Sequence, residues 1–272
     1  MYNVLDNCLF VKNREKFELL REKADAFNRN YNGSNIIQDD IFHIIENYTK
    51  KKCEPLELLR YPIDAEELCA CTFLRGGRIF VLINSQMPLA KQIFAAGHEL
   101  YHVWCYLEND DPQLVQNGSM LDAMTMDDTT TAQEEMEANA FSGLLLVPAE
   151  TLYQQIRIYG INLMKISLID VLMLMEIFAV PYKAIVLRLY EDGLINDKQV
   201  KALLSISSDE VTHQIRLSGK AKRWMRIPQG VEQFGSLEEN IAVNEENMVL
   251  QPGRLSSDKR RLQEIREKYH LD

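Results

Sequence analysis

Two histidines four residues apart, with a glutamate directly after the first, constrain this chain more than any other feature: His98-Glu99-Leu100-Tyr101-His102. On an α-helix, positions i and i+4 lie about 40° apart around the axis, so both imidazoles reach one metal ion. The residue after the first histidine sits about 100° round and faces the same cleft. The pattern demands a helix here and supplies two metal ligands and a base. A five-residue motif also arises by chance, so the flanking sequence has to decide. Between Pro88 and Gly97 no further proline occurs, and the run is rich in Ala, Lys, Gln, Ile and Phe, which predicts a helix from about Leu89 to Leu107. Ala95 and Tyr106 then share the ligand-bearing face, while Phe94, Leu100, Val103, Trp104 and Leu107 anchor the other side in a core.

A catalytic zinc site needs a third protein ligand and keeps one position for water. The best supply is Thr131-Ala132-Gln133-Glu134-Glu135-Met136-Glu137-Ala138-Asn139-Ala140-Phe141, where Thr131 and Glu134 match the Thr-x-x-Glu box that opens a helix. With Glu134 engaged in capping, Glu135 and Asn139 lie one turn apart on one face with Ser142 close behind, so a carboxylate ligand has a polar neighbour to orient a histidine. Glu137 is rotated about 200° from Glu135, and periodicity favours Glu135 over Glu137 as the ligand. The competing reading is a solvated acidic first turn, which a helix N-terminus favours.

The pairing of His98-Glu99-Leu100-Tyr101-His102 with Glu135-Met136-Glu137-Ala138-Asn139-Ala140-Phe141 and Leu144-Leu145-Leu146-Val147-Pro148 resembles the ImmA/IrrE family of zinc metallo-endopeptidases. Its members carry a His-Glu-x-x-His helix, then a helix with Glu-x-x-Ala-Asn-x-Phe that ends in a Leu-Leu-x-Pro-like segment. The resemblance covers roughly residues 14 to 195, and the paired motifs are far more specific than either alone. It implies His98, His102 and Glu135 as zinc ligands and Glu99 as catalytic base. It also implies a regulatory protease acting on one or few proteins, often a helix-turn-helix repressor of a mobile element or stress operon. Tyr101 stands where many members have glycine, and the stretch between the motifs is long.

The chain has 272 residues, enough for one large domain or two small ones, and its 30 basic against 40 acidic groups give a net charge of −10. That balance argues against nonspecific binding to nucleic acid or an anionic membrane surface. Five cysteines (Cys8, Cys53, Cys69, Cys71, Cys105) without a repeated CxxC argue against a disulfide framework and for a reducing compartment. No apolar segment follows a basic start, and the most apolar run, Leu168 to Val180, is broken by Asp170 and Glu176. A soluble cytoplasmic protein is expected.

Elsewhere, Arg14 to Asn28 and Gln38 to Lys51 read as helices around the turn Asn32-Gly33-Ser34-Asn35. Leu68 to Phe73 and Arg78 to Ile83 flank Gly76-Gly77 and predict a β-hairpin, an edge to which an extended substrate could add as a strand or simply a wall of the core. Cys69 and Cys71 share one face of its first strand and are assigned to packing, as is Cys105. Glu108 to Thr130 is a long, acidic connection, read either as a lid or as a mobile segment. The two helices around Phe178-Ala179-Val180-Pro181 have a helix-turn-helix outline, yet their surfaces are mostly apolar, which favours a packing hairpin over a DNA reader. A basic cluster at Lys220, Lys222, Arg223 and Arg226 surrounds Trp224, and a last helix is expected from Ser257 to His270; His213 and His270 lack ligand spacing.

The expected architecture is α+β: a mostly helical, zincin-like metallopeptidase domain with a small β-sheet over residues 1–195, followed by a C-terminal accessory region over 196–272. Tyr101, Tyr106 and Tyr153 are the candidates to stabilise an oxyanion. The competing class is a non-catalytic regulatory or DNA-binding protein with a structural zinc site.

Overall fold

The computed structural model describes residues 4–32, 34–65, 68–109, 119–122, 133–225, 233–248 and 250–269. A short helix α1 (Leu9–Lys12) leads into α2 (Arg14–Tyr31). Asn13 caps α2 by accepting from the Lys16 amide at 3.1 Å, and Phe17, Leu20, Ala24 and Phe27 form its buried stripe. A 3-10 turn at Gln38–Asp40 opens α3 (Ile41–Lys51). Strands β1 (Leu56–Tyr61), β2 (Leu68–Arg75) and β3 (Arg78–Asn84) follow, then α4 (Leu89–Asn109), strand β4 (Ser119–Asp122) and α5 (Gln133–Leu146). Beyond these lie α6 (Ala149–Ile158), α7 (Leu168–Phe178), α8 (Tyr182–Glu191), α9 (Asp197–Leu204), α10 (Ser208–Leu217), α11 (Ala221–Trp224), β5 (Gln233–Phe234), α12 (Leu237–Asn247) and α13 (Pro252–Tyr269). The fold is the expected mostly helical α+β arrangement with a small mixed sheet.

The sheet order is β4-β2-β3-β1-β5. The hairpin forms as read: β2 and β3 pair antiparallel from Ala70↔Ile83 to Arg75↔Arg78, and Gly76 and Gly77 both take positive φ, 59° and 74°. Two left-handed residues in a two-residue loop match the right-handed strand twist, and glycine adopts them without steric cost. The hairpin is not the edge, however. From Leu68 to Thr72 the outer side of β2 is paired antiparallel with β4, so along that stretch the backbone groups a substrate strand would have used are already engaged. β4 comes from the long connection between α4 and α5; the rest of that connection lies outside the described residues.

On the other side β1 runs parallel to β3, and β5 adds antiparallel to β1 with Leu59↔Phe234 in register. Glu57 of β1 clasps this segment: its carboxylate accepts from the Ser236 amide and hydroxyl, each at 2.6 Å, and from Arg78 at 2.6 Å. Gly235, at φ 57°, passes so close to Glu57 that a Cβ there would collide with the carboxylate.

The helix pair α7–α8 packs rather than projects. Ser167 and Asp170 form a reciprocal capping box, Ala179 closes α7 in the left-handed region, and Leu174, Phe178, Ile185 and Leu189 are buried. Arg188, which a DNA reader would expose, is buried instead. It donates to the Val147 carbonyl at 3.1 Å, to Glu191 at 2.8 Å and to Asp192 at 2.7 Å, and Arg21 of α2 meets Asp192 at 2.6 Å. Of the basic cluster, Lys220 is paired with Glu176 of α7, and Arg223 stacks over Trp224 at 4.7 Å. Val200, Leu203, Ile215 and Trp224 join the same core as Phe141 and Ile185, so residues beyond 196 complete the interior that supports the metal helices. The last helix runs from Pro252 to Tyr269, longer than read from sequence; His270 lies outside the described residues, and His213 is exposed.

Candidate active site

Helix α4 is 21 residues long and begins after Pro88, whose carbonyl accepts from the Lys91 and Gln92 amides. Ile93, Ala96, Leu100 and Val103 are fully buried and hold it in the core. The opposite face carries His98 and His102, both buried, with their Nε2 atoms 3.2 Å apart. Helix α5 packs against it and brings Glu135 to them, 3.1 Å from His98 Nε2 and 3.5 Å from His102 Nε2. The close approach of the two helices is possible because residue 97 is glycine: a Cβ there would lie 2.6 Å from Ser142 Oγ. Ser142 in turn donates to the Phe94 carbonyl at 2.8 Å, one turn before His98.

One ligand atom from each of His98, His102 and Glu135 lies within 4.8 Å of the others. Two imidazole nitrogens and one carboxylate oxygen converging on a point are the donor set zinc prefers in catalytic sites, so these residues fit the ion. The electrostatics agree. Burial opposes protonation of His98, but the carboxylates of Glu135 and Glu99 and the Asn139 amide outweigh it and raise its pKa. His102 is pushed down to about 3 by burial and by the neighbouring His98, only partly countered by Glu135, so it is the neutral imidazole that metal binding requires. Glu135 remains ionised: burial works against its charge, and the hydrogen bond and charge of His98 overcome it. A cation held between these groups would stand in place of the His98 proton.

His98 Nδ1 lies 3.0 Å from Asn139 Oδ1, so Nδ1 carries the proton and Nε2 presents its lone pair to the site. This is the orienting neighbour that the Glu135/Asn139 spacing suggested. The alternative acid, Glu137, faces elsewhere. It is buried and accepts from Tyr101 at 2.5 Å and Gln133 at 2.9 Å, with Lys16 of α2 at 3.1 Å. Burial raises its pKa, but these donors bring it below the ordinary glutamate value. The acidic turn is therefore not simply solvated: Glu134 is exposed, Glu135 half-buried and Glu137 buried. The capping residue read at Thr131 lies outside the described residues.

Glu99 is fully buried, and its Oε2 accepts from the Thr72 hydroxyl at 2.7 Å. Thr72 was not legible as a site residue. The only hint is that strand alternation places it with Ala70 on one face, a lone hydroxyl on an inward side. Of the three tyrosines, Tyr101 is committed to Glu137, Tyr106 packs against the core, and Tyr153 lines a surface groove with Phe10, Arg14 and Tyr190. A mostly apolar cavity of about 350 Å³ adjoins the site, with Met136, Asn139, Phe94, Leu187, Ile215 and Trp224 in its wall.

An α+β fold with two histidines and a glutamate on packed helices, and a buried glutamate beside them, defines a metallopeptidase-type domain. Residues 56–190 match the model of the peptidase M78 family, described as the IrrE N-terminal-like domain, and through this stretch the chain belongs to that family. A search of curated proteins finds no match to the chain. No helix among the described residues is long and apolar enough to cross a membrane.

Proposed function

We propose that this chain is a zinc-dependent endopeptidase that cleaves a specific regulatory protein in the cytoplasm. A helix-turn-helix repressor of a mobile element or stress operon is the substrate class the family resemblance implies. The observation that carries the reading is the convergence of His98, His102 and Glu135 on one point beside the buried Glu99. A zinc ion held there supplies Lewis-acid polarisation of a scissile carbonyl and makes water easier to deprotonate. His98 and His102 bind through Nε2, with Asn139 fixing the ring of His98. Glu99 takes the proton of the attacking water on its carboxylate and returns it to the leaving amine nitrogen. β4 offers the outer edge to which an extended substrate adds as a strand. Selectivity then rests on contacts away from the metal, because a base and an activated water attack almost any accessible peptide. The cavity walled jointly by Met136 and Trp224 is one place where C-terminal residues approach helix α5, which carries Glu135.

The test is Glu99→Gln, which removes the proton carrier and leaves every ligand. It should hold zinc near one equivalent and lose cleavage, whereas His98→Ala should lose both. Cleavage of the target by Glu99→Gln at the parent rate would exclude the mechanism and favour a structural zinc site.

A further inference from the structure

We infer that Thr72 is a positioning residue for Glu99, holding one carboxylate oxygen so that the other is aimed at the attacking water. The inference rests on the endopeptidase reading above. Thr72 Oγ1 lies 2.7 Å from Glu99 Oε2, and the two residues are 1% and 0% exposed. A carboxylate in such surroundings cannot rely on water for its orientation; it takes it from the donors that reach it. A bond from a hydroxyl to an ionised oxygen is among the stronger and more directional hydrogen bonds a side chain makes.

The donor is well placed to act as a fixed point. Thr72 pairs with Val81 of β3 on one side and Ser119 of β4 on the other, so its backbone is held by two ladders. A β-branched side chain has few accessible χ1 rotamers, and threonine therefore presents its hydroxyl with little freedom. Among the described residues, the partner of that hydroxyl is Glu99. The bond to Oε2 restrains rotation of the carboxylate about its terminal bond, and so ties the direction of Oε1 to a strand one place in from the sheet edge. Misplacing a reacting group by about 1 Å costs on the order of a hundredfold in rate, so the constraint has a catalytic consequence. A purely structural threonine would only fill space and satisfy its own hydroxyl.

The experiment compares Thr72→Val, which keeps the shape and removes the donor, with Thr72→Ser, which keeps the donor. Both are measured as full-length, zinc-loaded protein on the target that the parent cleaves. Thr72→Val should bind one equivalent of zinc and melt near the parent, with kcat lowered roughly ten- to a hundredfold and KM within about twofold. Thr72→Ser should recover most of kcat. A crystal structure of metal-free Thr72→Val should show the Glu99 carboxylate turned from its parental orientation, a readout that needs no activity. Should Thr72→Val fail to fold, Thr72→Ala carries the same expectation. The inference is overturned by a valine variant with parental kcat, by valine and serine variants equally impaired and equally destabilised, or by an unmoved Glu99. If the parent itself is inert, the endopeptidase reading fails, and the orientation of Glu99 in the crystal still decides the role of Thr72.

Discussion

Gly97→Ala is the substitution that most directly tests how α4 and α5 are held at the distance the metal site needs. The added methyl would sit 2.6 Å from Ser142 Oγ, 3.3 Å from Ser142 Cβ and 3.4 Å from Leu146 Cδ1. Only the first contact is prohibitive, so the helices must part by several tenths of an ångström or Ser142 must leave the Phe94 carbonyl. Overpacking of this kind costs about 1–3 kcal/mol, and the better helix propensity of alanine returns about 0.5–1, leaving a net loss of roughly 1 kcal/mol. Ser142→Ala alone should also lose about 1 kcal/mol through its hydrogen bond. The double variant removes the 2.6 Å clash and keeps the propensity gain, so it should be close to the parent in stability. The cycle therefore predicts a coupling of roughly 1–2 kcal/mol in favour of the double variant. Urea unfolding of the four proteins measures it, and a zinc titration against a chromophoric chelator should show weaker binding by Gly97→Ala and recovery in the double. Additivity within about 0.5 kcal/mol, or zinc affinity untouched by Gly97→Ala, would refute the close-contact argument.

Three other outcomes follow from the same geometry. Glu135→Ala should weaken zinc on the order of tenfold or more, while Glu137→Ala should spare zinc affinity and lower the melting temperature, because its carboxylate serves Tyr101 and Lys16; equal zinc loss in both would reverse the assignment. Burial works against the charge of Glu57, but Ser236 and Arg78 lower its pKa below 4.5 in the folded chain. A depressed carboxylate contributes stability that is present above the unfolded value and lost as pH falls through the folded one. The stability gap between parent and Glu57→Gln should thus be full near neutral pH and close below about pH 4.5; a gap that widens on acidification contradicts the clasp. Truncation after residue 195 deletes Val200, Leu203, Ile215 and Trp224 from the core, so circular dichroism should show a markedly lower melting temperature and not merely altered target choice.

Local rules carried much of this protein. Helical periodicity alone put His98 and His102 on one face and separated Glu135 and Asn139 from Glu137, and the structure keeps all of these relations. Gly76-Gly77 specified a turn that few other residue pairs tolerate, and the hairpin followed. Ser167 and Asp170 cap α7 through atoms three residues apart. In each case the determining contacts lie within one turn of helix or one tight loop, so they can be read along the chain. Tertiary packing decided the rest. What Glu137 faces depends on Lys16, more than a hundred residues earlier, and the neighbour of Glu99 depends on how a strand slides beneath α4. The edge of the sheet passed from β2 to β4, and β5 joined β1, through backbone groups that carry no residue-specific signal. Arg188 looks the same in sequence whether it faces DNA or, as here, a buried cage of Glu191, Asp192 and the Val147 carbonyl. Periodicity states which face of an element a residue occupies, whereas the element that covers that face is selected by the burial of the whole core.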